Sequence, residues 1–361
     1  MVELPSPSGA LDRVRREVER NLQRARNGVK LAAGTSRPAL GQTPKDVVWR
    51  GGRSELWHYR ASGNSGGPPL LLVFSLVSRS YICDLVPGNS FVERLLGAGF
   101  DVYLLDWGVP DERDADNRLE DYADDYIPAA LHRVREVSGA RLIDLLGYCF
   151  GGVLTLLHAA HHPESPLHSL TVLATPADFQ KMGPLVEVAG SDAVDLDAIL
   201  DDNGNVPAGI IRQMFRSLTP TYEITQYVNL WERLWSDDYV ATYQAMTRWS
   251  ADHIPFPGAA ARQTLDMLLR ENAMVTDRLV VGGDRVSLSD ITVPFLTVRA
   301  SRDNIIEAPA SEPLIDLVGS ADKDELVLDA GHMGLIVGKT AHRTTIPTII
   351  DFLKKRSEVS A

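Results

Sequence analysis

Leu11, Val14, Val18, Leu22, Ala25 and Val29 recur at intervals of three and four, with charged residues between them. That period marks one face of a helix and predicts an amphipathic helix packed on the domain or on a partner. Residues 43–60, TPKDVVWRGGRSELWHYR, read as strand, Gly-Gly turn and strand, which predicts a hairpin. SGNSGGPP (62–69) is a loop. Beyond it, short apolar runs alternate with helical patterns. LLLVFSLV (70–77), DVYLLDWG (101–108), ARLIDLLG (140–147) and SLTVLATP (169–176) predict buried strands. SFVERLLGAGF (90–100) and LEDYADDYIPAALHRVREVSG (119–139) predict helices that end near glycine. Buried strands alternating with helices predict an α/β fold with a mostly parallel central sheet.

The alternation stops after Pro176. From Asp178 to Leu279 the chain reads as helical and rich in large side chains, Trp231, Trp235 and Trp249 among them. The α/β rhythm resumes with VPFLTVRASRD (293–303) and DELVLDAGHMG (324–334). The expected organisation is therefore an N-terminal helix and first part of the core over 1–177, a helical lid insertion over 178–279, and the second part of the core over 280–361. No internal repeat or low-complexity tract interrupts it.

The chemistry centres on IDLLGYCFGG (143–152), where an apolar run feeds a Gly-x-Cys-x-Gly turn and VLTLLHAAHH follows as a helix. Strand, sharp turn and helix with a reactive side chain at the apex describe a nucleophile elbow, with Cys149 where serine usually stands. Gly147 and Gly151 flank the apex where a Cβ would collide with neighbouring backbone, and Gly152 adds clearance. The helix N-terminus aims its N–H groups and positive dipole end at the sulfur, which favours a thiolate and later an oxyanion. Taken alone, the motif also fits a buried cysteine in a glycine-rich turn.

Residues further along decide between the two. A cysteine nucleophile needs a base, and the base needs an orienting group. Asp303 stands just past the carboxyl end of one predicted strand and His332 just past the next, the end where catalytic groups of parallel sheets gather. The order Cys, Asp, His is that of the α/β-hydrolases. Of nine histidines, His332 alone has this context. His158, His161 and His162 on the helix after the elbow read as surface or packing residues. An oxyanion hole needs backbone donors. The N–H of Phe150 is one expected donor, and the other comes from the loop after the first core strand, around Val77 and Ser78.

Bulk properties narrow the class. The chain has 361 residues, 44% hydrophobic and 23% charged, ordinary for a soluble globular protein of one large or two modest domains. A net charge of −12 argues against general nucleic-acid binding. Two cysteines, Cys83 and Cys149, make no disulfide framework and fit a reducing compartment. The N-terminus has no apolar signal segment, and the longest apolar stretch is too short to cross a bilayer. The chain is read as cytoplasmic, with Cys83 structural.

At this point the sequence resembles the catalytic subunit of class III polyhydroxyalkanoate synthases, cysteine-bearing members of the α/β-hydrolase fold. The similarity spans nearly the whole chain through TPKDVVW, YICDL, DVYLLDWGVPD, LEDYADDYI, GYCFGG, ATPADF, GNVP, LWSDDYVATYQAMTRW, ARQ and GHMG. The resemblance implies Cys149 as nucleophile, His332 as base and Asp303 as the acid. It implies an acyltransferase that polymerises (R)-3-hydroxyacyl-CoA through a covalent acyl-cysteine and releases CoA, with acyl-CoA as substrate and no cofactor or metal. It further implies a second, helical synthase subunit, a homodimer, or both as partners, and the polymer granule surface as a location. Two positions depart from the family pattern: Asn304 stands where the family has histidine, and Ser78-Arg79-Ser80 where it has Asn-Arg-Pro. A cysteine-dependent hydrolase (a thioesterase or a dienelactone-hydrolase-like enzyme) uses the same residues and stays open, as does a non-catalytic scaffold subunit.

Overall fold

The computed structural model describes residues 7–34, 38–61, 66–183, 191, 194–219 and 222–357. Its main sheet has eight strands: β1 (Lys45–Gly51), β2 (Ser54–Tyr59), β3 (Pro69–Val73), β4 (Asp101–Asp106), β5 (Ile143–Tyr148), β6 (Leu167–Leu173), β7 (Phe295–Ala300) and β8 (Lys323–Leu328). Their spatial order is β1-β2-β4-β3-β5-β6-β7-β8. β2 is antiparallel to both of its neighbours, and every pairing from β4 across to β8 is parallel. The expected hairpin is β1–β2, turning at Gly52, whose φ of 55° suits glycine. β3 ends at Val73, short of the predicted Val77. Phe74 to Val77 leave the sheet as a loop, anchored where Trp107 Nε1 donates to the Phe74 carbonyl at 2.8 Å.

Helices cover both faces of the sheet, so its central strands are buried along almost their whole length and mainly apolar rather than alternating. One apolar cluster joins β3 and β5 to α3 (Ile127–Ser138) and α4 (Phe150–His161). The other joins the opposite face to α2 (Phe91–Gly97) and α8 (Ile346–Ser357). The helical stretch predicted from residue 119 divides in two. Asp121–Tyr126 form a wider π-type turn, and the regular helix begins at Ile127 with Pro128 in its first turn, where a missing N–H costs nothing. Gly139, at φ 73°, closes it. Val153, Leu154, Leu156 and Leu157 of α4 are fully buried, each contributing ~1.5–3 kcal/mol of hydrophobic stabilisation. The helix that carries the elbow is thereby a rigid element.

Between β6 and β7 the chain leaves the sheet for α5 (Ala208–Leu218), α6 (Tyr222–Arg233) and α7 (Asp237–Ala251). Ala260, Leu265, Leu268 and Met274, toward the end of the 178–279 span, join the same apolar cluster as α3 and α4, as does Ile211 of α5. The N-terminal helix α1 (Pro7–Ala32) forms, but its apolar stripe does not pack on this chain. Val14, Val18, Leu22 and Val29 are all more than half exposed. Contact runs through another face: Asn27 is buried and donates to the Leu234 carbonyl at 2.8 Å, and Gln23 donates to Asp237 at 2.6 Å.

Of the three histidines near the end of α4, His158 is a packing residue. It is buried, with Nδ1 2.7 Å from the Ala123 carbonyl and Nε2 2.8 Å from the Ser165 hydroxyl. Burial lowers its pKa to about 4. Because the folded value lies below the unfolded value of 6.5, only the unfolded chain gains a proton as pH falls between them. Stability is unaffected above pH ~6.5 and is expected to drop by about 3 kcal/mol by pH ~4 from this residue alone. Urea unfolding at pH 7 and pH 4.5 checks it. His158→Gln should be less stable than the parent at pH 7 and show a smaller acid-side loss; an equal loss in both removes His158 as the cause.

Candidate active site

Cys149 follows β5 directly and caps α4, with φ 56° and ψ −123°. A non-glycine residue at positive φ costs on the order of 1–3 kcal/mol and persists only where its surroundings enforce it. The enforcing contacts are tight. A Cβ on Gly147 would lie 2.4 Å from the Gly152 Cα, and one on Gly151 would lie 2.3 Å from the Val73 carbonyl oxygen and 2.6 Å from that of Phe74. At Gly152 the obstacle is the Thr175 hydroxyl. The Cys149 N–H donates to the Leu173 carbonyl at 2.8 Å, and the Thr175 hydroxyl reaches the Cys149 carbonyl at 3.3 Å. The Gly-x-Cys-x-Gly-Gly spacing therefore arises because the start of α4 crowds Gly147, backbone of Val73 and Phe74 crowds Gly151, and the Thr175 side chain crowds Gly152.

The turns after β7 and β8 bring Asp303 and His332 to the same end of the sheet. His332 Nδ1 lies 2.7 Å from Asp303 Oδ2, and both side chains are buried. The other carboxylate oxygen accepts the N–H groups of Ile305 and Ile306 at 2.8 and 2.9 Å, which fixes its orientation. The imidazole and Cys149 line the same cavity. Burial alone pushes the His332 pKa down. The charges of Asp303 and Cys149 and the hydrogen bonds to both outweigh it and raise the value to about 10. The protonated imidazole is thus the favoured form whenever the sulfur is charged.

Cys149 and His332 line a cavity of about 670 Å³ between the carboxyl ends of the strands and the inserted helices. Phe215 from α5, Tyr227 from α6 and Met246 and Trp249 from α7 line its other side. The inserted segment is tied to the loop after β3. Trp249 Nε1 donates to the Arg79 carbonyl at 2.7 Å, His253 Nδ1 lies 3.1 Å from the Val77 carbonyl, and the Tyr81 hydroxyl reaches Asp252 at 3.1 Å. Of the three tryptophans expected in the lid, Trp249 lines the cavity, whereas Trp231 is 74% exposed and Trp235 stacks under Arg20.

Phe150 is the first residue of α4, beside the sulfur. Val77 is half-buried in the core, its N–H 3.5 Å from the Ser75 hydroxyl, and the neighbours Ser75 and Ser78 reach the cavity wall. In the departing Ser78-Arg79-Ser80 stretch, Ser80 is buried and donates to Asp106. Asn304 is exposed on the cavity wall, outside the Asp303–His332 hydrogen bond. Sequence reasoning missed Tyr148. Its hydroxyl donates to the His332 carbonyl at 3.0 Å, and its ring sits 5.1 Å from the imidazole and stacks on Phe74. Its adjacency to Cys149 is the one signal that pointed to it.

These surroundings set the arrangement among known proteins. A family model described as alpha/beta hydrolase fold matches residues 68–339. The chain is 34% identical to the poly(3-hydroxyalkanoate) polymerase subunit PhaC of Allochromatium vinosum, over 88% of this chain and 90% of that one. It is 33% identical to the protein of the same name from Haloferax mediterranei, over 97% of this chain and 72% of that one. The chain belongs to the poly(3-hydroxyalkanoate) polymerase family. Among solved structures, a hydrolase from Pseudomonas aeruginosa PA01 superposes with a TM-score of 0.52 at 17% identity, covering 87% of this chain and 98% of that one. That likeness speaks to the α/β-hydrolase fold. For the polymerase family the elbow cysteine is the residue to test first.

The two thiols differ in surroundings. Cys149 borders the cavity, whereas burial and then Asp84 push the Cys83 thiol well up. Brief iodoacetamide treatment followed by peptide mapping is expected to label Cys149 at least roughly a hundredfold faster than Cys83. Equal labelling of the two contradicts this assignment.

Proposed function

We propose that this chain is the catalytic subunit of a poly(3-hydroxyalkanoate) synthase that polymerises (R)-3-hydroxyacyl-CoA through an acyl-cysteine on Cys149. The observation that carries the reading is the buried Asp303–His332 pair lining one cavity with an elbow cysteine. The Cys149 thiolate attacks the thioester carbonyl, the tetrahedral oxyanion is held by backbone N–H groups at Phe150 and near Val77, and CoA leaves as its thiol with the proton of the His332 imidazolium, which leaves the ring neutral. One thioester replaces another, so the acyl group stays activated at little free-energy change. His332, oriented by Asp303, then takes the proton of an incoming 3-hydroxyl group. That oxygen attacks the acyl-cysteine, an ester forms, and the sulfur is freed.

Water competes with the hydroxyl for the acyl-cysteine. Phe215, Met246 and Trp249 supply an apolar wall that suits its exclusion. The exposed stripe Val14, Val18, Leu22 and Val29 on α1 supports docking of a second, helical synthase subunit. We place the working enzyme in the cytoplasm, at the surface of the growing polyester. Among the described residues no helix is long and apolar enough to cross a membrane.

The test is incubation of the purified chain with (R)-3-hydroxybutyryl-CoA. Free CoA with insoluble polyester supports the synthase, free CoA with free 3-hydroxybutyrate supports a thioesterase, and no CoA release supports a scaffold subunit. Asn304→His is expected to change the CoA-release rate by about tenfold or less, equal to ~1.4 kcal/mol of barrier. The residue faces the cavity, and His332 already supplies the base. A parent chain that is inert while Asn304→His polymerises reverses this expectation.

A further inference from the structure

The end of α4 remote from Cys149 carries a second cluster of side chains. His161 is the last residue of the helix and His162 follows it, while Asp124 lies on the Asp121–Tyr126 turn before α3. Asp124 Oδ1 is 2.9 Å from both His161 Nδ1 and His162 Nε2. One ligand atom from each of the three residues lies within 4.8 Å of the other two. Each ring turns its remaining nitrogen toward a further carboxylate: His161 Nε2 lies 3.5 Å from Asp284, and His162 Nδ1 lies 3.4 Å from Glu164. We propose that Asp124, His161 and His162 form a binding site for a divalent transition-metal ion, with zinc the preferred occupant.

The donor set selects the class of ion. Two imidazole nitrogens and one carboxylate oxygen are ligands zinc takes readily, whereas magnesium and calcium call for oxygen. The geometry needs little adjustment. Donor atoms about 2.0–2.2 Å from a tetrahedral ion lie roughly 3.3 Å apart; Asp124 Oδ1 is 2.9 Å from each imidazole nitrogen, and the three donors lie within 4.8 Å of one another. The outer carboxylates are the independent observation. A metal-bound imidazole characteristically donates its other N–H to a carboxylate, which fixes tautomer and ring orientation. Both rings have such a partner, Asp284 for one and Glu164 for the other. Three carboxylates around two imidazoles also leave a local excess of negative charge, which a divalent ion relieves.

An ion can enter, since the side chains of Asp124, His161 and His162 keep 21%, 18% and 28% of their surface exposed. It would tie together three elements: the end of α4, the turn before α3 and the short hairpin of Val280–Val281 paired with Asp284–Arg285, which precedes β7. That hairpin lies directly against the cluster, for a Cβ on Gly282 would sit 3.3 Å from Asp124 Oδ2. The twelve residues of α4 put the site roughly 18 Å from the cysteine. Its role is therefore to brace the base of the nucleophile helix, apart from the chemistry at its other end.

Calorimetric titration of the full chain with zinc tests the site, in a Cys149→Ser background so that the elbow thiol adds no zinc affinity of its own. A saturable binding event is expected, and His161→Gln and His162→Gln should each weaken it at least about tenfold. Glutamine keeps a hydrogen-bonding amide near Asp124, and circular dichroism checks that each variant is folded. Zinc should also raise the melting temperature of the parent but not of the double variant. The proposal fails if zinc shows no saturable binding, if both variants bind it as tightly as the parent, or if calcium or magnesium binds as well as zinc.

Discussion

Replacing Cys149 by alanine is expected to lower CoA release by at least roughly ten-thousandfold. On the proposed mechanism no other group can carry the acyl chain, so both half-reactions disappear together. What remains is the oxyanion frame and the binding cavity, which accelerate attack by water only weakly. The substitution removes one sulfur atom and keeps a Cβ at the same positive φ, so the fold should survive, and circular dichroism checks that. Cys149→Ser separates nucleophile chemistry from shape. The hydroxyl holds its proton far more firmly than a thiol, and acylation would turn a thioester into a more stable oxyester. The acyl group then leaves the serine slowly. A loss of at least about a hundredfold is expected, with an early burst of CoA that stalls near one equivalent per site. Cys149→Ala retaining more than a tenth of the parent rate would move the nucleophile elsewhere.

The elbow was legible because its constraints are steric and local. Gly147, Gly151 and Gly152 stand together in a six-residue window, and each meets a close neighbour: the Gly152 Cα for Gly147, the carbonyls of Val73 and Phe74 for Gly151, and the Thr175 hydroxyl for Gly152. The parallel strands were legible for a related reason: sheets covered on both faces write themselves as unbroken apolar runs. Asp303 and His332 were found by position at strand ends, and the hydrogen bond between them then followed from topology. The strand order was not in the sequence pattern, because pairing partners lie far apart along the chain.

Other features depend on contacts that no window contains. The α1 stripe looks like a core face, yet the helix touches the chain through Gln23 and Asn27, which periodicity marks as polar. Hydrophobic spacing says that a face is buried by something, and only the assembled fold says by what. The ties from Trp249 and His253 to the loop after β3 use backbone carbonyls of Arg79 and Val77, groups every residue has. For the same reason the backbone donors of an oxyanion hole carry no side-chain signature. Tyr148 orients the His332 backbone through one hydroxyl 184 residues away in sequence, and nothing near it signals that.

The second large effect concerns the base and its orienting group. His332→Gln is expected to reduce CoA release at least about a hundredfold, since His332 is the imidazole in the cavity wall that a carboxylate, Asp303, orients. Asp303→Asn is the more informative change. Burial pushes the His332 pKa down, and Asp303 supplies the largest opposing influence. Without that charge the imidazolium loses its main support, so its pKa falls and the protonated ring is retained only at lower pH. The charged form of the ring beside the sulfur should then be less populated near neutrality. Iodoacetamide labelling of Cys149 as a function of pH reads this directly: the Asp303→Asn profile should lie at higher pH than that of the parent. Turnover should fall in step at pH 7 and recover in part as pH rises. Asp303→Glu, which keeps the charge but not the two N–H contacts from Ile305 and Ile306, should lose rate with a smaller shift of the labelling profile. If Asp303→Asn lowers turnover and leaves the labelling profile unmoved, the carboxylate acts through position alone. If it leaves both unmoved, Asp303 has no part in the reaction and the base must be oriented by another group.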